Sequence, residues 1–64
     1  MSQKMVTFTV TVNDEIAEGL AQFLKRVGWS EIRQNAVDDV EACIMRDALG
    51  QVRQALEEVG YAPR

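Results

Sequence analysis

The 64-residue sequence has no histidine, a single cysteine, a single proline and few aromatic residues. Without histidine it lacks the commonest general base and the commonest metal ligand. The lone Cys43 excludes an internal disulfide and, with no histidine, a structural zinc site of the usual kind. Neither a glycine-rich phosphate loop nor a nucleophile elbow is present. We therefore predict a non-enzymatic protein with no metal and no cofactor.

Long apolar runs are also missing, so nothing in the sequence predicts a membrane span. The first residues, MSQKMVTFTV, lack the apolar region and cleavage site of a signal peptide. Together with the single cysteine, these absences predict a cytoplasmic protein, which would be the host cytoplasm for a phage gene. The length predicts one domain over residues 1–64.

The net charge is −3, and the charged residues are unevenly distributed along the chain. Residues 35–63 contain only two bases, Arg46 and Arg53, and six acids, Asp38, Asp39, Glu41, Asp47, Glu57 and Glu58. Because DNA affinity depends on neutralising phosphates, this excess works against direct nucleic-acid binding and favours a basic partner. A purely solvating acidic face is the alternative.

Residues 5–13, MVTFTVTVN, alternate apolar side chains with threonines. This period of two is typical of a strand with one buried face and predicts a strand over residues 5–12. No other segment alternates in this way. A lone strand must pair its backbone, so we predict an antiparallel homodimer through this strand. The alternatives are pairing within the chain, for example with residues 29–33, and a strand edge that stays open for a partner.

Two amphipathic helices are predicted after the strand. Asn13 is a suitable N-cap and Gly28 a suitable stop for a helix over residues 14–27. Asn35 can cap a second helix over about residues 36–59, which Gly60 and Pro63 end. The connector WSEIRQ, residues 29–34, fits either a short helical turn or an irregular segment.

The predicted fold class is therefore α+β, in the order strand, helix, helix. Trp29 is more typical of a core or hinge residue than of a binding residue. Apolar residues cover more than half of the second helix, wider than one core requires, which also favours a second protomer or a partner. The predicted core consists of Val6, Phe8, Val10, Ile16, Leu20, Phe23, Val40, Ile44, Val52 and Leu56.

The strand–helix–helix order with alternating threonines resembles the ribbon–helix–helix repressors and antitoxins. That resemblance covers residues 5–28. It implies that two protomers pair their strands and that Thr7, Thr9 and Thr11 would contact DNA bases. Two features differ from the family pattern, since WSEIRQN delays the second helix and only Lys4 is basic near the strand.

The segments FLKRVGWSEIRQNAVDDVEACIMRDAL and EVGYAPR resemble small uncharacterised proteins of bacteria and their mobile elements. In size, acidity and lack of catalytic groups the chain is similar in type to anti-CRISPR proteins. This likeness implies a mobile-element inhibitor that places carboxylates on a basic nucleic-acid channel, such as that of a Cas effector.

The preferred prediction is thus a protein-binding module whose surface is formed by the acids of the second helix. The predicted partner-binding residues are Asp38, Asp39, Glu41, Asp47, Glu57 and Glu58. A dimeric DNA-binding regulator that uses Thr7, Thr9 and Thr11 is the alternative.

Overall fold

The computed structural model describes residues 4–61 as three helices preceded by an extended segment. Helix α1 spans Asp14–Arg26, α2 spans Trp29–Gln34 and α3 spans Asp39–Glu58. Residues 4–13 adopt no helix or strand. The α+β prediction is therefore wrong, because residues 4–61 form an all-helical fold.

The missing strand has a simple physical cause. A strand is defined by hydrogen bonds to a neighbouring strand, and the alternating pattern of residues 5–12 supplies only a suitable surface for one. No second extended segment within residues 4–61 lies beside it, since residues 29–34 are helical. Every residue from Lys4 to Ile16 is exposed.

Helix α1 begins and ends close to where its capping residues predict. The Asn13 Oδ1 accepts a hydrogen bond from the Ile16 N–H at 2.9 Å, which satisfies one of the free donors at the helix start. Asp14 and Glu15 lie in the first turn, and Lys25 and Arg26 lie in the last turn. This order of charges complements the helix dipole and stabilises both ends.

Helix α2 resolves the ambiguous connector as a short helix. Its start is fixed by the Glu31 carboxylate, which accepts a hydrogen bond from the Gly28 N–H at 2.8 Å. At its end the Asn35 side-chain amide donates to the Glu31 carbonyl at 2.8 Å. Asn35 therefore ends α2, and the prediction that it caps the next helix is wrong.

Asp38 caps α3 in its place, so that this helix starts three residues later than predicted. The Asp38 Oδ1 accepts from the Glu41 N–H at 2.8 Å. At the other end Gly60 has a φ of +97°, which favours glycine over any residue with a Cβ. The Gly60 and Tyr61 N–H groups donate to the Glu57 and Leu56 carbonyls at 3.1 and 2.9 Å, forming a Schellman motif. Pro63, the other predicted stop signal, lies outside the described residues.

Helix α3 packs on both α1 and α2 in a single flat layer. The principal extents are 35 × 30 × 15 Å. The smallest extent is half of the next one, and within the described residues α1 and α2 each pack on α3 but not on each other, so the three helices lie side by side. Most domains instead bury their apolar faces between two layers.

The core is accordingly small and differs from the prediction. Of the ten predicted core residues, only Val52 and Leu56 are even half-buried, and the others are exposed. Small residues allow the helices to approach within the layer, so the large apolar side chains on the adjacent face stay uncovered. The buried apolar residues are Ala17, Ala21, Leu24, Ile32 and Ala42.

Among the helices of residues 4–61, none has the length and apolar character that crossing a bilayer requires.

Candidate functional site

The six acids predicted to bind a partner are spread along the whole length of α3. Asp38, Asp39, Glu41 and Asp47 lie in the first half of α3 or immediately before it, whereas Glu57 and Glu58 lie at its end. Asp47 and Glu57 are ten positions apart, which corresponds to about 15 Å along the helix axis. The first four acids are therefore the candidate group, and the last two are a separate pair.

Two acids of the candidate group hold the start of α3. Besides the Asp38 cap, a Glu41 Oε1 atom accepts a hydrogen bond from the Val37 N–H at 2.9 Å. These bonds satisfy backbone donors at the helix start, where negative charge is also favoured by the helix dipole. Asp38 and Glu41 thus have a structural role that is independent of any partner.

Asp39 forms the shortest of the ion pairs in the described part of the chain. The Arg33 Nε lies 2.7 Å from the Asp39 Oδ1, and the Arg33 Nη1 donates to the Ala36 carbonyl at 3.1 Å. Arg33 thereby ties the end of α2 to the start of α3. The Asp39 side chain is nevertheless 83% exposed, so solvent screens the pair and a partner has access to the carboxylate.

The remaining acids have weaker partners. Arg46 Nε lies 3.7 Å from the Asp47 Oδ1, and Arg53 Nε lies 3.3 Å from the Glu57 Oε1. Within residues 4–61 no ion pair or side-chain hydrogen bond of Glu58 is present. The acidic side of α3 is thus a mixed surface with an excess of negative charge.

An exposed apolar surface lies among the candidate acids. Val37, Val40 and Ile44 are 81%, 70% and 63% exposed. Val40 and Ile44 are four residues apart and so are neighbours on the helix surface. We call these three residues the start patch. The unusually wide apolar arc of α3 was the sequence signal for this patch, although it led to Val40 and Ile44 being assigned to the core.

A second apolar surface lies at the other end of the layer. It is a groove between the extended segment, the first half of α1 and the second half of α3, which we call the α1–α3 groove. None of the described residues that line it carries a charge. The lining consists of Phe8, Thr9, Val10, Val12, Ile16, Leu20, Gln51, Val52, Ala55, Leu56 and Val59.

The three threonines of the alternative prediction are all exposed on the extended segment. Thr9 lines the α1–α3 groove together with its apolar neighbours Phe8 and Val10. The segment therefore does not present a threonine side to solvent and an opposite apolar side to the helices, as a strand on a core would. Thr7 and Thr11 do not line the groove and stay accessible.

Trp29 was predicted to be a core or hinge residue, and the core role is wrong. The residue is 45% exposed, and the Arg46 guanidinium lies 5.8 Å from the ring centroid. This distance fits a cation–π contact, which fastens the start of α2 onto α3. The aromatic residue thus stabilises the layer from its surface.

Comparison with known proteins adds one assignment. No curated protein and no solved structure matches the chain. The agreement with a family profile, in contrast, extends over residues 1–64. The chain belongs to DUF7706, a family of unknown function.

Proposed function

We propose that this chain is a non-enzymatic protein-binding module that contacts its partner through the start patch and the acids around it. The observation that carries the proposal is the exposure of Val37, Val40 and Ile44 beside a group of carboxylates. Exposed apolar side chains that are neighbours on a helix surface, as Val40 and Ile44 are, are typical of an interaction site when polar residues surround them. A solvated acidic face would not require them.

The layout of this surface corresponds to that of a protein interface. Interfaces have an apolar centre that loses its water and a polar rim that stays partly hydrated. Here the start patch would form the centre, and Asp39 and Asp47 would belong to the rim. A complementary partner presents an apolar patch surrounded by lysine and arginine.

The narrower form of the proposal is an inhibitor of a host defence complex, similar in type to anti-CRISPR proteins and acting in the host cytoplasm. Its support is the excess of acids in α3 and the net charge of −3. Carboxylates compete with phosphates for lysine and arginine side chains. The ion pairs of Asp39 and Asp47 limit this support, because part of their charge is already balanced.

A capture experiment with two matched double variants tests the proposal. The patch variant is Val40→Gln with Ile44→Gln, and the groove variant is Ile16→Gln with Val59→Gln. Each pair replaces one valine and one isoleucine that are exposed to a similar extent. Glutamine has a higher helix propensity than valine or isoleucine, and Val59 lies just after the last residue of α3, so both variants should stay folded.

The tagged chains are used to capture proteins from host lysate, and each captured protein is then purified and titrated against wild type and both variants. We expect the patch variant to weaken binding by tenfold or more, and the groove variant to bind as wild type does. Equal binding by the patch variant and wild type would refute the proposal. Displacement of the captured protein by added duplex DNA would support the narrower form.

The alternative function, a DNA-binding regulator, is favoured by the accessible Thr7 and Thr11 and by the nearby Lys4. Its test is fluorescence anisotropy with labelled duplex DNA. If wild type binds a defined sequence and replacement of Thr7, Thr9 and Thr11 by alanine abolishes that binding, the regulator is correct and the protein-binding proposal is wrong.

A further inference from the structure

The described residues form only one layer with an uncovered apolar face. Ala17, Ala21 and Leu24 of α1 face inwards, while Ile16 and Leu20 of the same helix line the α1–α3 groove. Large apolar side chains of this helix thus lie on both sides, and Ile16 and Leu20 stay exposed although residues of these types are usually buried.

The accessible surface is also larger than the mass predicts. A compact monomer of 7.2 kDa exposes about 4,100 Å² by the usual scaling with mass. This chain exposes 5627 Å², which is about 1,500 Å² more than that scaling gives. A stable interface removes about 800 Å² from each partner, and the excess of this chain, to which the exposed segment of residues 4–13 also contributes, is larger than that.

The absence of charge from the described lining of the groove distinguishes between two kinds of occupant. Interfaces between proteins that also exist apart are about as polar as the rest of the surface, whereas permanent homodimer interfaces resemble a domain core cut in half. An uncharged groove beside an incomplete core corresponds to the second kind.

The positions of the acids are compatible with self-association. Each copy has a net charge of −3, so two copies repel each other wherever their acids meet. Glu57 and Glu58 directly precede Val59 in sequence, yet neither lines the groove. Two copies facing each other across the grooves therefore bring uncharged surfaces together.

We infer that a second copy of this chain covers the α1–α3 groove, so that two single layers form a two-layer homodimer. Helices α1 and α3 of each copy supply the contacts, and the side chains of Ile16, Leu20 and Val59 become buried. The contact is isologous, because the same surface is used on both sides of a two-fold axis. It lies apart from the start patch, so the dimer and the protein-binding proposal stand or fall separately.

Sedimentation equilibrium of the purified full chain tests the inference. We expect wild type to sediment at twice 7.2 kDa at micromolar concentrations. The groove variant, Ile16→Gln with Val59→Gln, should weaken dimerisation by at least 100-fold. The patch variant, Val40→Gln with Ile44→Gln, should dimerise as wild type does.

A wild-type mass of 7.2 kDa at all concentrations would overturn the inference. A dimer that the groove variant leaves intact, or that the patch variant weakens equally, would overturn it as well, because the contact would then lie elsewhere. If the groove variant unfolds on dissociation, its melting temperature should rise with protein concentration and approach that of wild type. A low melting temperature that is independent of concentration would count against the dimer.

Discussion

Val40 and Val59 are equally exposed, at 70% each, and each directly follows an acid in the chain, yet only Val59 lines the α1–α3 groove. Val40 belongs to the start patch, where Asp39 and Glu41 are its neighbours in the chain and Asp47 lies one turn beyond Ile44. Val59 lines a groove whose described residues are all uncharged. Exposure alone therefore does not specify what an apolar residue binds. The surrounding charge does, since a charged rim selects a complementary partner and an uncharged surface favours a second copy.

The largest effect is expected from a substitution in the helix layer that carries both surfaces, because it should disturb the start patch and the α1–α3 groove together. Ala42 of α3 is 0% exposed, so Ala42→Leu inserts a larger side chain where no space exists. We expect it to lower the free energy of unfolding by about 1–3 kcal/mol and to weaken both partner binding and dimerisation. Urea unfolding followed by circular dichroism measures the first effect.

The matched control is Ala48→Leu in the exposed part of the same helix. Its unfolding free energy should stay within about 0.5 kcal/mol of wild type. If Ala42→Leu were equally harmless, α3 would not be packed in the layer as described.

A substitution of intermediate effect should disturb the start patch and leave the α1–α3 groove unchanged. Asp38→Ala removes the side-chain cap of α3 and should cost about 1 kcal/mol. Because helix ends fray locally, amide exchange should increase in residues 39–44, which contain most of the start patch, and not in residues 52–59. Glu58→Ala, which removes a carboxylate at the other end, is the control and should leave exchange in residues 39–44 unchanged. Uniformly faster exchange after Asp38→Ala would contradict a local role for the cap.

The smallest effect concerns charge alone. Replacing Asp39 and Asp47 by lysine should slow association with a captured partner several-fold at low salt, and less at high salt, where screening is stronger. Stability should change little, because exposed ion pairs contribute about 0–1 kcal/mol. Dimerisation should be unaffected. Stopped-flow association at two salt concentrations provides the measurement.

Glu57→Lys with Glu58→Lys is the matched reversal, placed about 15 Å further along the helix. An equal slowing by this variant would show that only net charge matters. It would also restore these two glutamates to the predicted binding surface.

Local signals in the sequence predicted the helix ends well where each signal had a single interpretation. Asn13 caps α1, and Gly60 ends α3 with the backbone angle that glycine favours. Where two signals competed, the prediction failed. Both Asn35 and Asp38 are good N-caps, but Asn35 is the C-terminal cap of the short helix α2. The hydrogen bond from the Gly28 N–H to Glu31 starts α2. In the sequence it corresponds only to a glutamate three positions after a glycine, which does not by itself predict a helix start.

The candidate site was predicted in part. The residues 35–63 segment was correctly recognised as acidic, but sequence position could not show that its acids divide into two groups along a 20-residue helix. Nor could it show that Arg33, from another helix, pairs with Asp39 at 2.7 Å. Val40 and Ile44 of the start patch were assigned to the core, although the wide apolar arc of α3 had indicated that a second protomer or a partner covers part of it.

The sequence by itself determined which residues are apolar, how they repeat, and where the chain can begin or end a helix, since these depend on local chemistry and spacing. Only the tertiary structure decided which apolar face is buried. Alanines at 17, 21 and 42 allow close helix packing, and they formed the core in preference to larger neighbours such as Ile16 and Ile44. The tertiary structure also decided that residues 5–12 have no strand partner within the described chain. Pairing and burial depend on what lies opposite a surface, and that is a property of the whole fold.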